Sequence, residues 1–212
     1  MNQTPQLQIQ GHSLFPTPVV HAELPNSDLI NAGLRAAIEA RMVTHPSTDH
    51  SNLGGWQSSW DLADWGGTSA TEVLAQAKTV ANRMTCDRQG KPVNVDWQLN
   101  AWANVNSTGH GNEFHTHPGS FWSGTYYVDD GGIGEDPSLG GEFEIQDPRG
   151  IAPAMYAPLL AFNIPGGLAA GSSETIPPKT GRMLMFPAWL SHAVRPYLGQ
   201  RQRISIAFNL SI

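Results

Sequence analysis

The chain has 212 residues, enough for one domain with a sizeable core. Hydrophobic residues make up 40% and charged residues only 14%, while 22 glycines and 16 prolines suit a β-rich fold better than a helical bundle. The net charge of −6 argues against a nucleic-acid partner, no stretch approaches membrane-spanning length, no leader-like run opens the sequence, and the single Cys86 excludes an internal disulfide or a cysteine-based zinc site, so the chain reads as soluble and cytoplasmic.

Residues 14–20, Leu-Phe-Pro-Thr-Pro-Val-Val, read as an edge strand, because proline cannot donate to a ladder. Ile30, Leu34, Ile38 and Met42 recur every four residues and predict a helix over 27–42 with one buried stripe. Residues 45–55 are polar and read as loop. Trp56, Trp60 and Trp65 follow as packing mass, with a substrate wall as the alternative. A second helix is predicted over 70–84. Ser69 and Glu72 form a capping box, and Val73, Leu74, Ala77, Val80 and Ala81 line one face. Asp87-Arg88-Gln89-Gly90 supplies the turn that ends it. Both helices are amphipathic and belong on the outside of a sheet.

From residue 93 the pattern is strand after strand. Val95, Trp97, Leu99, Ala101 and Ala103 alternate with Asp96, Gln98, Asn100, Trp102 and Asn104, so one face packs and the other looks into a cavity. Further strands are expected over 121–128, 141–146, 182–186, 190–197 and 201–212, about eight in all. Residues 150–178 are apolar, rich in glycine and proline, and without a period. A loop that long inside a compact domain is a functional lid or a disordered piece. The layout is a single domain over 1–212, with an N-terminal strand and helices to residue 92 and the core from 93. Its fold class is mainly β: a double-stranded β-helix, jelly-roll or cupin-like, with two supporting N-terminal α-helices.

The core is organised around Phe114-His115-Thr116-His117-Pro118-Gly119. Residues two apart on a strand point to the same face, so His115 and His117 can aim two imidazoles at one point. Neutral imidazole is the commonest metal-binding side chain, although a lone His-x-His is as consistent with polar surface. His192 is a third candidate ligand, 75 residues beyond His117, which only a closed β architecture would bring close. Arg203 and Ser205 share a face of the last strand and suit a carboxylate, because the planar guanidinium donates to two oxygens at once. Charge is uneven along the chain. Residues 149–212 carry six basic groups against Glu174, or +5, which leaves −11 on the first 148. That is either a polar outer face or a set of strands holding an anionic small molecule. The histidines at 12, 21, 45, 50 and 110 read as surface, and Cys86 as packing.

Together these motifs resemble the 2-oxoglutarate/Fe(II)-dependent oxygenase superfamily, and more narrowly a bacterial and phage-associated branch of it. That branch is marked by His-x-His-Pro-Gly-Ser-x-x-Ser-Gly-x-Tyr-Tyr, here residues 115–127. It also carries Gly-Gly-x-x-x-x-x-Asp-Pro-Arg, here 140–149, and Arg-Ile-Ser-Ile-Ala-Phe-Asn, here 203–209. The resemblance implies a double-stranded β-helix with Fe(II) held by His115, His117 and His192. It implies 2-oxoglutarate held by Arg203 with Ser205 beside it, Tyr127 and more weakly Asn104 as further contacts, and O2 as the other cosubstrate. The reaction it implies is hydroxylation coupled to conversion of 2-oxoglutarate and O2 to succinate and CO2, on a small-molecule or peptidyl substrate. One departure stands out, since histidine occupies the place of the usual carboxylate ligand. Three imidazoles could bind, or one of His115 and His117 with a water or anion, or Glu113 could substitute. A cupin-like three-histidine dioxygenase that uses no oxoacid, and a non-catalytic jelly-roll binding module, are the competing readings.

Overall fold

Eleven strands and four helices are present among residues 8–212, the part of the chain that the computed structural model describes. A six-stranded antiparallel sheet contains β1 (Val20–Glu23), β3 (Trp56–Gln57), β4 (Gln98–Asn106), β6 (Trp122–Asp129), β9 (Arg182–Pro187) and β11 (Arg203–Ser211), in the order β1-β9-β6-β11-β4-β3. A five-stranded sheet contains β2 (Asn52–Leu53), β5 (Gly111–His115), β7 (Phe143–Gln146), β8 (Ser173–Ile176) and β10 (His192–Val194), in the order β2-β5-β10-β7-β8. The two long helices are α1 (Ser27–Thr44) and α3 (Gly67–Met84), and the short ones are α2 (Leu62–Trp65) and α4 (Ala152–Tyr156). The architecture is the expected jelly roll with supporting helices. No helix among the described residues is long and apolar enough to cross a membrane.

Period-two alternation sorts the large sheet into two environments. On β11, Ile204, Ile206, Phe208 and Leu210 pack into a core shared with Leu34 and Ile38 of α1 and Val73 and Ala77 of α3. Arg203, Ser205 and Ala207 take the other face and line the interior cavity. β4 splits in the same way: Ala101, Ala103 and Val105 join the helix-side core, while Trp102 and Asn104 line the cavity. The Tyr126 hydroxyl donates to Asn31 Oδ1 at 2.7 Å, tying α1 to β6 inside that core. Gly124 sits in the middle of β6, where a Cβ would lie 2.4 Å from Phe208 Cζ and 2.5 Å from the Leu184 carbonyl oxygen. The carbonyl belongs to a laddered strand and cannot swing away. Gly124→Ala is therefore expected to cost about 1–3 kcal/mol by overpacking, read as a lower urea midpoint.

Several boundaries differ from the sequence reading. The first strand begins at Val20, not at residue 14, because Pro16 and Pro18 break the run; it does pair at the sheet edge, with β9. The polar loop over 45–55 contains β2. The second helix starts at Gly67, so Ser69 lies inside its first turn and no side-chain cap bond forms. Gly33 of α1 approaches Ser69 so closely that a Cβ there would meet Ser69 Oγ at 2.2 Å, so Ser69 serves helix packing. The strand expected from 93 begins at Gln98. The stretch 150–178 is not one loop: it holds α4 and β8, and β8 extends the smaller sheet through β7.

Candidate metal centre

His115, His117 and His192 offer ring nitrogens that all lie within 4.8 Å of one another. Ring centroids are 5.0 Å apart for 115 and 117, 4.4 Å for 115 and 192, and 5.1 Å for 117 and 192. The pairing of β10 with β5 sets this up, because His192 and His115 are cross-strand partners. His115 is the last residue of β5, so His117 lies just past the strand and not on it. Its place is fixed instead by its backbone N–H, which donates to the Ala188 carbonyl at 2.9 Å. The expected convergence is present, but the strand parity used to argue it covers only half the pair.

Second bonds fix how two of the rings face. His115 Nδ1 lies 2.7 Å from the Glu113 carbonyl and His192 Nδ1 lies 2.8 Å from the Leu190 carbonyl. A carbonyl can only accept, so Nδ1 carries the proton and the Nε2 lone pair is left toward the centre. His117 Nε2 and His192 Nε2 stand 3.3 Å apart. His192 is 4% exposed, stacked on Phe143 at 5.0 Å and edge-on to Phe186 at 4.6 Å. Burial, with the neighbouring ring of His115 next in weight, pushes the pKa of His117 down to about 4 and that of His192 to about 3; burial also lowers that of His115. The centre is thus a set of neutral imidazoles, the form a metal requires.

The linkage has a definite sign. Unfolded imidazoles protonate near 6.5, whereas His117 and His192 in the folded chain do so only near 4 and 3. The penalty is absent above pH 6.5 and grows as pH falls toward the folded values. In metal-free protein it is expected to reach about 2 kcal/mol per ring at pH 5. Urea midpoints in EDTA at pH 7.5 and pH 5 measure it.

Deeper in the same cavity lies Arg203, 2% exposed, with its guanidinium 5.3 Å from the centre of the Tyr127 ring. Arg203 Nε and Tyr127 Oη are both buried without a hydrogen-bond partner; the hydroxyl comes near the guanidinium short of hydrogen-bond geometry. Burial raises the Tyr127 pKa to about 12, against the opposing charges of Arg203 and Arg182, so the phenol stays protonated and can donate. Burial also lowers the Arg203 pKa, yet a guanidinium remains charged at any physiological pH. Arg203 takes part in no ion pair, and no Asp or Glu lines the cavity among the described residues. Ser205 and Asn104, paired across β11 and β4, line it as well. Gly141, at φ 73°, lies against this arginine: a Cβ there would come within 3.4 Å of Arg203 Cδ and 2.9 Å of Ile133.

His115, His117, His192, Arg203, Ser205, Tyr127 and Asn104 therefore open on one cavity. Glu113 does not join the histidine cluster. The sequence reading missed Ser51, Asn112 and Phe143. Asn112 was hidden because the register shifts between His115 and Asn112, which defeats simple alternation along β5. Among the tryptophans nearby, Trp102 lines the cavity, Trp122 packs on the helix side, and Trp189 is exposed. No residue of 150–178 lines this cavity.

Residues 100–209 match the sequence family described as "Putative 2OG-Fe(II) oxygenase". The chain belongs to this 2OG-Fe(II) oxygenase family, a family of oxidoreductases that use Fe(II), 2-oxoglutarate and O2. Among solved structures it is similar to a Pseudomonas putida prolyl-4-hydroxylase, with 17% identity over 92% of each chain and a TM-score of 0.62. It is similar as well to a Trichoplax adhaerens prolyl hydroxylase in complex with a hypoxia inducible factor peptide fragment, with 13% identity over 91% of this chain and 83% of that one and a TM-score of 0.62. A third is HygX from Streptomyces hygroscopicus, with nickel and 2-oxoglutarate bound, at 11% identity, 92% and 83% coverage and a TM-score of 0.54. At these identities the likeness is one of fold. No curated protein matches the chain.

Proposed function

We propose that this chain is an Fe(II)- and 2-oxoglutarate-dependent dioxygenase that hydroxylates a small-molecule or peptidyl substrate, converting 2-oxoglutarate and O2 to succinate and CO2. The observation that carries this reading is the convergence of three neutral imidazoles with an unpaired, buried guanidinium in one cavity. His115, His117 and His192 would hold the iron on one face and leave positions open for the oxoacid and O2. Arg203 would take the remote carboxylate of 2-oxoglutarate, with Ser205 and Tyr127 donating to it and Asn104 closing the side. Bound there, the iron–oxoacid pair supplies the oxidising power for C–H hydroxylation. Phe143 and Phe186 keep water from the rings, and the carbonyls of Glu113 and Leu190 hold His115 and His192 in register. A reducing cytoplasmic setting, in which Cys86 stays a free thiol, suits ferrous iron.

A cupin-like three-histidine dioxygenase would share the metal centre but would have no use for the buried arginine. Anaerobic addition of Fe(II) and 2-oxoglutarate separates the two. The proposed enzyme gives a weak metal-to-ligand charge-transfer band in the green; metal binding without any such band would refute oxoacid use.

A row of aromatic rings runs from the centre to the surface. Trp102 is 5.9 Å from His117, Trp60 is 6.3 Å from Trp102, and His50 stacks on Trp60 at 5.0 Å. Trp60 is 54% exposed, which makes it the outer step of a platform on which a substrate ring can lie. Trp60→Ala is expected to raise substrate KM roughly tenfold in a succinate-release assay, from about 1.5 kcal/mol of lost aromatic contact, and to leave the green band unchanged.

A further inference from the structure

We infer that metal and dicarboxylate bind to this centre as a strongly coupled pair, with the dicarboxylate supplying the negative charge that the protein withholds. The inference rests on the metal-centre reading above. Its basis is the charge inventory of the cavity. The three ligand rings are neutral when they coordinate. No Asp or Glu lines the cavity or joins the histidine cluster among the described residues. Arg203 adds a positive charge that is 2% exposed and has no ion-pair partner. Asp130 acts on it only through space, beyond ion-pair distance. Glu113 is exposed, and Glu144 is tied to Arg195 at 2.7 Å.

A divalent cation entering this cavity meets a like charge at low dielectric and no anion. Burying charge without a counter-charge is among the costliest events in a protein interior. A centre with one carboxylate ligand offsets part of that cost before any cosubstrate arrives; this one does not. A dianion reaching from Arg203 to the metal removes both penalties together. Coupling is reciprocal, so metal must tighten dicarboxylate binding by the factor by which dicarboxylate tightens metal binding. The site then holds metal weakly alone and firmly only with its oxoacid.

Chelation by the keto and carboxylate oxygens would itself produce some coupling, so the test separates the two sources. Anaerobic calorimetric titration of the protein with Mn(II) is run alone, with saturating 2-oxoglutarate, and with saturating glutarate, which has both carboxylates but no keto group. Expected is about 100-fold tighter Mn(II) binding with 2-oxoglutarate, near the upper end of usual coupling, and about tenfold with glutarate. Arg203→Gln is expected to abolish the glutarate effect and leave part of the 2-oxoglutarate effect. His117→Asp, which places a carboxylate beside the metal, is expected to tighten Mn(II) binding in the absence of any acid and to shrink both ratios severalfold. An Mn(II) affinity unmoved by glutarate, or ratios unchanged in His117→Asp, overturns the coupling while the metal centre stands. Absence of Mn(II) binding by folded wild-type protein under every condition overturns the centre itself. Should His117→Asp fail to fold, the glutarate arm and Arg203→Gln decide the question alone.

Discussion

Arg203→Ala is expected to weaken 2-oxoglutarate binding by roughly 30-fold or more while leaving the metal in place. The guanidinium is buried, unpaired and aimed into the cavity with the Tyr127 hydroxyl nearby. Truncating one partner of a buried charge pair costs about 2–5 kcal/mol, which sets that factor. Arg203→Lys should recover only part of the loss, since an ammonium keeps the charge but not the two-pronged geometry. The green band followed against 2-oxoglutarate concentration gives the affinity for the acid, and Mn(II) titration gives that for the metal. Equal loss of both would show that Arg203 supports the centre generally and does not anchor a carboxylate.

His192→Ala should have the opposite signature, with metal binding lost by more than about 100-fold and the fold retained. That factor is the upper end of what removing a mere supporting bond to a ligand costs, and here the ligand itself goes. Phe143 and Phe186 remain to close the space, and the variant no longer buries an imidazole that burial holds neutral. The circular dichroism spectrum should match wild type, while anaerobic Fe(II) with 2-oxoglutarate gives no band. A variant that still binds metal at wild-type affinity would remove His192 from the centre.

The fold was legible wherever burial imposes a period. The two long helices were visible in Ile30, Leu34 and Ile38 and in Val73, Leu74 and Ala77, because one stripe of each must leave water. The cavity-facing side of β4 was visible in Trp102 and Asn104 for the same reason. What escaped was set by pairing between distant segments. The two-residue strands β2 and β3 carry no pattern of their own and exist because β5 and β4 offer them an edge. Asn112 was concealed by the register shift in β5. The N-terminus of α3 was misplaced because Ser69 and Glu72 satisfy the capping pattern, yet the packing of Gly33 on Ser69 governs that turn. The candidate residues were named through motif order; that no carboxylate lines the cavity among the described residues could be known only once Glu113 and Glu144 had been placed.

β11 lies between β4 and β6, and it pairs with each along nearly its whole length. During synthesis, β4 and β6 leave the ribosome long before residues 203–211 do. Until then each presents an open edge to the crowded cell, the arrangement most prone to wrong pairing. Nascent chains arrested near residue 200 should therefore be protease-sensitive and hungry for chaperones. Because Arg203 and Ser205 ride on that strand, the cavity they line can only form as the sheet itself is sealed.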